Sequence, residues 1–294
     1  MPVPTFRGTT HFTCLALAAL LAASAGRRET EGPTPAAPRT DARAQSAGTH
    51  LQYGVPVKVG DGRARTYVVL DQKTGAQLEV GVALDERALE NLPAGGHGAH
   101  GPMTEVLLQL PAQDRSPFQF VELDWNPMGH GYPYTAPHFD FHFYTIPVEE
   151  RNSIDPSDPA FATKAAHLPA ADLIPAGYLS SHQLVSKTPA EVSVPRMGLH
   201  WLSLSSPELP PQSKSFTATY IVGTWNGKII FQEPMITRAF LLGTRDGGSS
   251  ETAFGVPSAK RYEPAGLYPS GYRVAWDAGR REFRIALTGL ESRD

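Results

Sequence analysis

Short runs of apolar and β-branched residues, separated by turn residues, fill the chain from residue 51 onward. Clear examples are residues 67–70, 78–82, 217–222 and 282–287. Runs of this length with turn residues between them are typical of strands connected by hairpins. Asn226-Gly227, a dipeptide that favours a tight hairpin turn, separates the third run from residues 228–231. The pattern predicts a mainly β fold (β-rich α+β), arranged as an antiparallel sandwich or barrel.

Two stretches depart from the strand pattern. Residues 85–92 begin with a capping Asp85, continue with helix-favouring residues and stop at Pro93, which predicts one brief helix. Residues 147–179 are rich in Ala and Pro and predict a small helical or irregular insertion, with helical turns at 148–152 and 160–167. The sequence has no internal repeat and no second shift in composition, so we predict a single β-rich domain over residues 51–294.

The first 50 residues have a different composition. Arg7 precedes an apolar run at residues 12–23, and Ala23-Ser24-Ala25 follows the pattern of a cleavage site. This predicts a signal peptide at residues 1–25, because a spanning helix needs nearer 20 apolar residues. An uncleaved N-terminal anchor is the alternative. Residues 26–50 lack aromatic and large aliphatic side chains and predict a disordered linker. We therefore expect an exported protein, periplasmic or extracellular, with no membrane span after signal cleavage.

Composition excludes several classes of protein. The net charge is −3 and the chain has no run rich in Lys or Arg, which argues against nucleic acid as a partner. Gly and Pro contribute 27 residues each, which favours short strands and turns over a helical bundle. Cys14 is the single cysteine, so any metal site must use His, Asp, Glu or Tyr. The usual motifs of serine hydrolases, NTPases and dinucleotide-binding proteins are missing from the sequence.

Residues 138–144, HFDFHFY, carry the most informative signal in the chain. In a strand, His138, Asp140, His142 and Tyr144 lie on one face and three phenylalanines lie on the other. Residues two apart on a face are about 6.6 Å apart and residues four apart are about 13 Å apart. Asp140 can therefore share an ion with either neighbouring histidine, whereas His138 and His142 reach one ion only across a bulge or a strong bend.

Two more residues of the ligating types stand beside strand-like sequence. They are His200, in residues 197–201, and Glu233, in residues 231–235. With the strand face they form a candidate site for a divalent transition metal such as Zn, Mn or Fe. The complete candidate metal set is His138, Asp140, His142, His200 and Glu233.

The same polar face also suits functions that need no metal. It fits a hydrogen-bonded network inside the fold, because buried polar groups require partners. It also fits a pocket for a small polar ligand, since such pockets combine aromatic walls with a few convergent polar groups. The residues expected to line that pocket are His130, Tyr134, Tyr144 and Trp125.

Residues 137–144, PHFDFHFY, resemble a segment of an uncharacterised family of exported bacterial proteins, known only as a domain of unknown function. Matching pieces follow in order at residues 129–130, 175–178, 197–201, 206–208 and 233–237. The resemblance covers about residues 50 to 245, and the chain from about residue 243 onward resembles no known family. It implies a β-rich exported domain and a homo-oligomeric assembly, and it brings no established reaction.

These observations lead to two functional hypotheses. The first is an exported protein that binds a metal ion or a small polar ligand at the His/Asp/His strand, with or without catalysis. The second is a non-catalytic structural or oligomeric protein of the envelope or of a stress response, without metal. Whether the protein is an enzyme is left open by the sequence.

Overall fold

Two large antiparallel sheets dominate the computed structural model, which describes residues 48–94 and 104–294. The strands in chain order are β1 (Thr49–Tyr53), β2 (Val57–Val59), β3 (Gly62–Asp71), β4 (Gln77–Asp85), β5 (Thr104–Gln109), β6 (Phe120–Asn126), β7 (His138–Tyr144), β8 (Tyr178–Ser180), β9 (Leu199–Ser203), β10 (Ala218–Trp225), β11 (Lys228–Thr237), β12 (Glu251–Gly255), β13 (Gly266–Tyr268), β14 (Gly271–Asp277), β15 (Glu282–Thr288) and β16 (Glu291–Arg293). The α-helices are α1 (Val148–Asn152), α2 (Phe161–Ala166), α3 (Ser181–Val185), α4 (Pro189–Val192) and α5 (Arg238–Arg245).

The two sheets form a sandwich. The first has the strand order β1-β3-β4-β15-β14-β12, with β2 also paired to β3, and the second has the order β5-β6-β7-β11-β10-β9-β8. All their pairings are antiparallel, and β13 pairs separately with β16. The predicted antiparallel β fold is confirmed in its sandwich form. Over the described residues neither sheet closes on itself, so the barrel alternative was wrong.

The main hydrophobic core lies between the facing sheets. Phe139, Phe141 and Phe143 of β7 are fully buried there, in one cluster with Val82 of β4 and Ile285 of β15. Burying a large apolar side chain contributes about 1.5–3 kcal/mol, so the three phenylalanines hold β7 firmly against the first sheet. The face of β7 that carries the histidines consequently points away from this core.

The shorter elements follow the predicted pattern closely. A 3₁₀ turn at Glu86–Leu89 occupies the predicted brief helix, and Asp85 caps it by accepting a hydrogen bond from the backbone N–H of Arg87 at 3.1 Å. Helices α1 and α2 lie in the predicted insertion, together with a 3₁₀ turn at Ala171–Leu173. Asn226 and Gly227 have φ of 48° and 80° and join β10 to β11, as expected for a hairpin turn that requires positive φ.

Both ends of the described chain contribute to the first sheet. The strand β15 pairs with β4 on one side and with β14 on the other. The C-terminal region, which lies outside the family resemblance, is therefore an integral part of the sandwich. The predicted signal peptide and residues 26–47 of the predicted linker lie outside the described residues, and β1 already begins at Thr49. The helices within the described ranges are all too short or too polar to span a bilayer.

Candidate functional site

The candidate site lies on the face of the second sheet that points away from the sandwich core. β7 is the third strand of that sheet, between β6 and β11. His138, Asp140 and His142 alternate with the core phenylalanines, yet each is at most 2% exposed. Three polar side chains are thus buried on the outer face of a sheet, where they need partners other than water.

Two smaller hydrophobic clusters cover this face. One packs Phe161 and Met197 with Tyr144 at the end of β7. The other packs Phe216 with Met235 of β11. On β11 the polar position 233 falls between residues 231 and 235, which belong to the two different clusters. The polar side chains therefore occupy a strip between two apolar covers.

Neighbouring strands add polar residues to the strip. Residues opposite each other on paired strands share a face, and the register of β6 with β7 places Glu122, Asp124 and Asn126 opposite residues 142, 140 and 138. All three are buried. Glu233 comes from β11 and His200 from β9, on the far side of β10.

Gly223 of β10 allows His200 to approach the other site residues. A Cβ at this position would lie 2.1 Å from the ring of Phe231, so only glycine lets that ring lie across β10. The ring of Phe231 contacts His142 with centroids 4.8 Å apart and His200 with centroids 5.4 Å apart. A single aromatic ring thus holds imidazoles from two strands that are not neighbours.

The first of two potential ligand groups, the His138 group, consists of His130, His138 and Asp140. His138 Nε2 lies 3.2 Å from Asp140 Oδ1, and His130 Nε2 lies 3.1 Å from Asp140 Oδ2. Asn126 Nδ2 donates a hydrogen bond of 2.7 Å to Asp140 Oδ2. The other ring nitrogen of His138, Nδ1, lies 2.7 Å from the carbonyl oxygen of Ala136. Three donor atoms from one strand and its preceding loop therefore converge.

The second, the His142 group, consists of His142, His200 and Glu233. His142 Nε2 lies 3.4 Å from Glu233 Oε1, and His200 Nε2 lies 4.0 Å from Glu233 Oε2. On its other side His142 Nδ1 lies 3.5 Å from Asp124 Oδ2. Among the described residues, neither ring nitrogen of His142 and neither carboxylate oxygen of Asp124 has a hydrogen-bond partner.

A third, acidic group has arginine partners at two of its three carboxylates. Glu105, Glu122 and Asp124 lie close enough to share an ion. However, Arg151 forms ion pairs with Glu122 and with Glu105, the latter at 2.7 Å, and Arg196 pairs with Glu105 at 2.5 Å. We assign Glu105 and Glu122 to an ion-pair cluster, because Arg151 and Arg196 already supply positive charge to these two carboxylates.

Burial sets the protonation states within the His142 group. It lowers the pKa of His142 to about 3 and that of His200 to about 4, so both rings are neutral at pH 7. It raises the pKa of Glu233 well above the usual range, and the negative charges of Asp140 and Asp124 add to this effect. The pKa of Asp124 is raised by burial as well. The group therefore offers imidazole lone pairs and carboxyls that ionise readily only beside a cation.

The His138 group has the opposite electrostatic character. Burial alone would raise the pKa of Asp140, but the charge of His138 and the contacts of His130 and His138 outweigh it and hold the pKa lowered. Burial alone would lower the pKa of His138, and the charge of Asp140 raises it instead. Asp140 is therefore an anion that attracts positive charge to the ring of His138.

The structure divides the five predicted metal residues between the two groups. His138 and Asp140 belong to one, and His142, His200 and Glu233 belong to the other. The expectation that His138 and His142 share one ion only across a bulge agrees with this arrangement, since β7 pairs with β6 in unbroken register and the two histidines lie in different groups.

The predicted ligand pocket is not assembled as a unit. His130 belongs to the His138 group, and Tyr134 lies in the cover, in edge contact with the ring of Phe216. Tyr144 is stacked on Phe120 and buried at the end of the face. Trp125 lies on the opposite face, in the main core against Phe139, so it does not line the site.

Sequence reasoning missed three residues of the strip. They are Glu122, Asp124 and Asn126, in the sequence FVELDWN of β6. Their alternation with apolar residues was a usable signal, of the same kind as the alternation on β7. It stayed hidden because no strand was predicted through Asp124 and Asn126 and only the alternation on residues 138–144 was used.

Comparison with known proteins gives one match. Residues 73–125 match the model of the TTHB210-like family, described as hypothetical protein TTHB210. This supports similarity to an uncharacterised domain family over β4, β5 and nearly all of β6, and the matched range includes Glu122 and Asp124. The motifs from residue 129 to 237 lie outside it. No curated protein and no solved structure matches the chain. The homo-oligomeric assembly implied by the resemblance stays a prediction.

Proposed function

We propose that the protein binds a divalent transition-metal ion through His142, His200 and Glu233. The observation that carries this proposal is His142, which is 1% exposed and has both ring nitrogens without a hydrogen bond among the described residues. One nitrogen faces Asp124 and the other faces Glu233. Leaving a buried polar side chain unpaired is costly, and a metal ion at Nε2 would remove that cost.

The geometry around Glu233 supports coordination. Two ligand atoms bound to a tetrahedral ion at 2.0–2.1 Å lie about 3.3 Å apart, and His142 Nε2 lies 3.4 Å from Glu233 Oε1. His200 Nε2, at 4.0 Å from the other oxygen, needs a small shift to complete the set. Its side chain is 18% exposed, which gives the ion a route from solvent.

Asp124, which faces the ring nitrogen of His142 that points away from Glu233, also supports the proposal. Histidines that bind metals usually direct their second ring nitrogen to a carboxylate or carbonyl, which fixes the ring and increases its basicity. Asp124 Oδ2 is placed for this role at 3.5 Å from His142 Nδ1. We therefore propose Asp124 as the residue that positions His142.

The donor set restricts the ion and its chemistry. Two imidazoles and one carboxylate suit Zn, Mn or Fe. Sites with three protein ligands commonly keep a position open for water or substrate, where the ion acts as a Lewis acid. We propose a metal-binding protein with such an open position, and from the pattern of residues 1–25 we propose that it acts after export.

The proposal is tested by metal content. The protein, purified without a histidine tag and stripped with a chelator, is titrated with Zn²⁺ and then dialysed. We expect at least one equivalent to be retained. Glu233→Gln and His200→Ala should each weaken binding more than tenfold with unchanged circular dichroism. His167→Ala, which removes an exposed histidine bonded to Asn226, is the matched control and should bind as wild type. Unchanged affinity in both site variants would refute the proposal.

A further inference from the structure

We infer that a second divalent transition-metal ion binds separately at His130, His138 and Asp140. The inference rests on buried donor atoms that lack partners. His138 Nε2 and Asp140 Oδ1 have no hydrogen bond among the described residues, and their side chains are 0% and 3% exposed. They lie only 3.2 Å apart, but their relative orientation does not make a hydrogen bond. Two donors that are close and yet unbonded to each other are typical of atoms that share a third partner.

The hydrogen bond on the far side of His138 fixes which nitrogen is available. Nδ1 lies 2.7 Å from the carbonyl oxygen of Ala136, and a carbonyl only accepts, so Nδ1 carries the proton. In the neutral ring, Nε2 then presents its lone pair to the carboxylate of Asp140. Lone pair and anion repel each other unless a proton on Nε2 or a metal ion lies between them. This arrangement of a histidine held through Nδ1 by a backbone carbonyl is common among metal ligands.

Asp140 and His130 complete the donor set. Asn126 donates to Asp140 Oδ2 at 2.7 Å and thereby fixes the plane of the carboxylate. His130 Nε2 lies 3.1 Å from the same oxygen. The distance of 3.2 Å from His138 Nε2 to Asp140 Oδ1 is close to the spacing of about 3.3 Å expected between two ligands of a tetrahedral ion, and His130 is hydrogen-bonded to the other oxygen. The side chain of His130 is 37% exposed, so this ion also has a route from solvent.

The two ions would occupy separate sites. Both oxygens of Asp140 are engaged within the His138 group, Oδ1 toward His138 and Oδ2 toward His130 and Asn126. Asp140 therefore has no oxygen left to bridge to an ion at His142. Positions 140 and 142 of the strand are also about 6.6 Å apart. Bridged two-metal centres hold their ions about 3.5–4 Å apart. We therefore infer two independent mononuclear sites on one strand face.

The charge of the strip also favours two cations. Asp124, Asp140 and Glu233 are buried, and their ion-pair partners among the described residues are histidines only. One divalent ion neutralises two of these three carboxylates when they are ionised. The third carboxylate, Asp140, remains as an anion for a second ion.

The test counts metal ions in matched variants by titration of the stripped protein with Co²⁺ and Zn²⁺ against a chromophoric chelator. Wild type should bind two equivalents. His130→Ala, a change at a partly exposed loop residue that spares the fold, and His138→Gln should each retain one, held with wild-type affinity at the other site. Glu233→Gln should also retain one, and the variant combining His138→Gln with Glu233→Gln should retain none.

The alternative results separate this inference from the proposed function. One equivalent in wild type that survives His130→Ala and His138→Gln but is lost in Glu233→Gln refutes the second site and leaves the first intact. One equivalent lost in His138→Gln and kept in Glu233→Gln supports the site in the His138 group and refutes the site in the His142 group. No bound metal refutes both, and the contact between His138 and Asp140 is then an ion pair.

Discussion

Replacement of Asp124 separates a role in metal binding from a role in stability. Asp124 is fully buried, both its oxygens lack hydrogen bonds among the described residues, and its Oδ2 lies 3.5 Å from His142 Nδ1. Asp124→Ala removes this contact without touching a proposed metal ligand. Loss of such an outer partner typically weakens metal binding 10- to 100-fold, or about 1.4–2.7 kcal/mol. Asp124→Asn keeps an oxygen that accepts from Nδ1–H, so we expect its loss to be less than about tenfold.

Asp124→Asn should not lower the stability of the metal-free protein, although it lowers the metal affinity. Burial raises the pKa of Asp124, which means that its ionised form is disfavoured in the metal-free fold. The neutral amide of Asp124→Asn should therefore leave the free energy of unfolding without metal unchanged or higher than in wild type. Reduced metal affinity combined with undiminished stability is the signature of a residue retained for binding.

Glu122→Gln is the matched control for this prediction. Glu122 lies two residues away on the same face of β6, but it pairs with Arg151. We expect this variant to lose stability and to keep its metal affinity. The assay is competition with a chromophoric chelator for affinity and urea unfolding in the presence of excess chelator for stability. Equal changes of affinity in Asp124→Ala and Glu122→Gln, or no recovery in Asp124→Asn, would refute the assigned role of Asp124.

Two further predictions concern stability. We expect the metal-free protein to lose stability as pH rises above about 6.5, by up to about 1.4 kcal/mol per pH unit for each proton that the folded state holds in excess of the unfolded chain. Burial raises the pKa of Asp124 and Glu233, so the folded state keeps protons that the unfolded chain has already lost. Urea unfolding across this pH range should show the slope with chelator and lose it with excess zinc, and a rising stability would contradict it. Arg151→Met should lower the free energy of unfolding by about 3–5 kcal/mol, because it leaves Glu122 buried without its partner. Adding Glu122→Gln should recover part of that loss, and equal losses in the single and double variants would contradict the assignment.

The sequence was most informative where one strand carries its own alternation. HFDFHFY identified β7, its two faces and the buried phenylalanines without any knowledge of neighbouring strands. The hairpin at Asn226-Gly227 was equally local, because turn chemistry depends on the dipeptide itself. Features set by period and turn type are readable in a single segment.

The composition of each ligand group was beyond the sequence. Whether Glu233 joins His142 or Asp140 depends on which strand lies beside β7 and in which register, and these are properties of the sheet. His200 reaches the site across Gly223 only because Phe231 lies over that glycine. Trp125 was misplaced for a related reason, since its face depends on the register of β6 against β7.

The order of strands in the first sheet bears on how the protein reaches its folded state. The second sheet, with every proposed ligand, is built from the continuous segment β5 to β11, whereas the first sheet needs β15 to pair with β4 across nearly the whole chain. Such distant pairings form late, because closing a long loop is entropically costly. A chain that ended before β15 would still contain every strand of the second sheet. The phenylalanines of β7 would then lack their cover from β15, which includes Ile285. Closure of the core beneath the ligand strip therefore depends on strands that follow the strip in the chain.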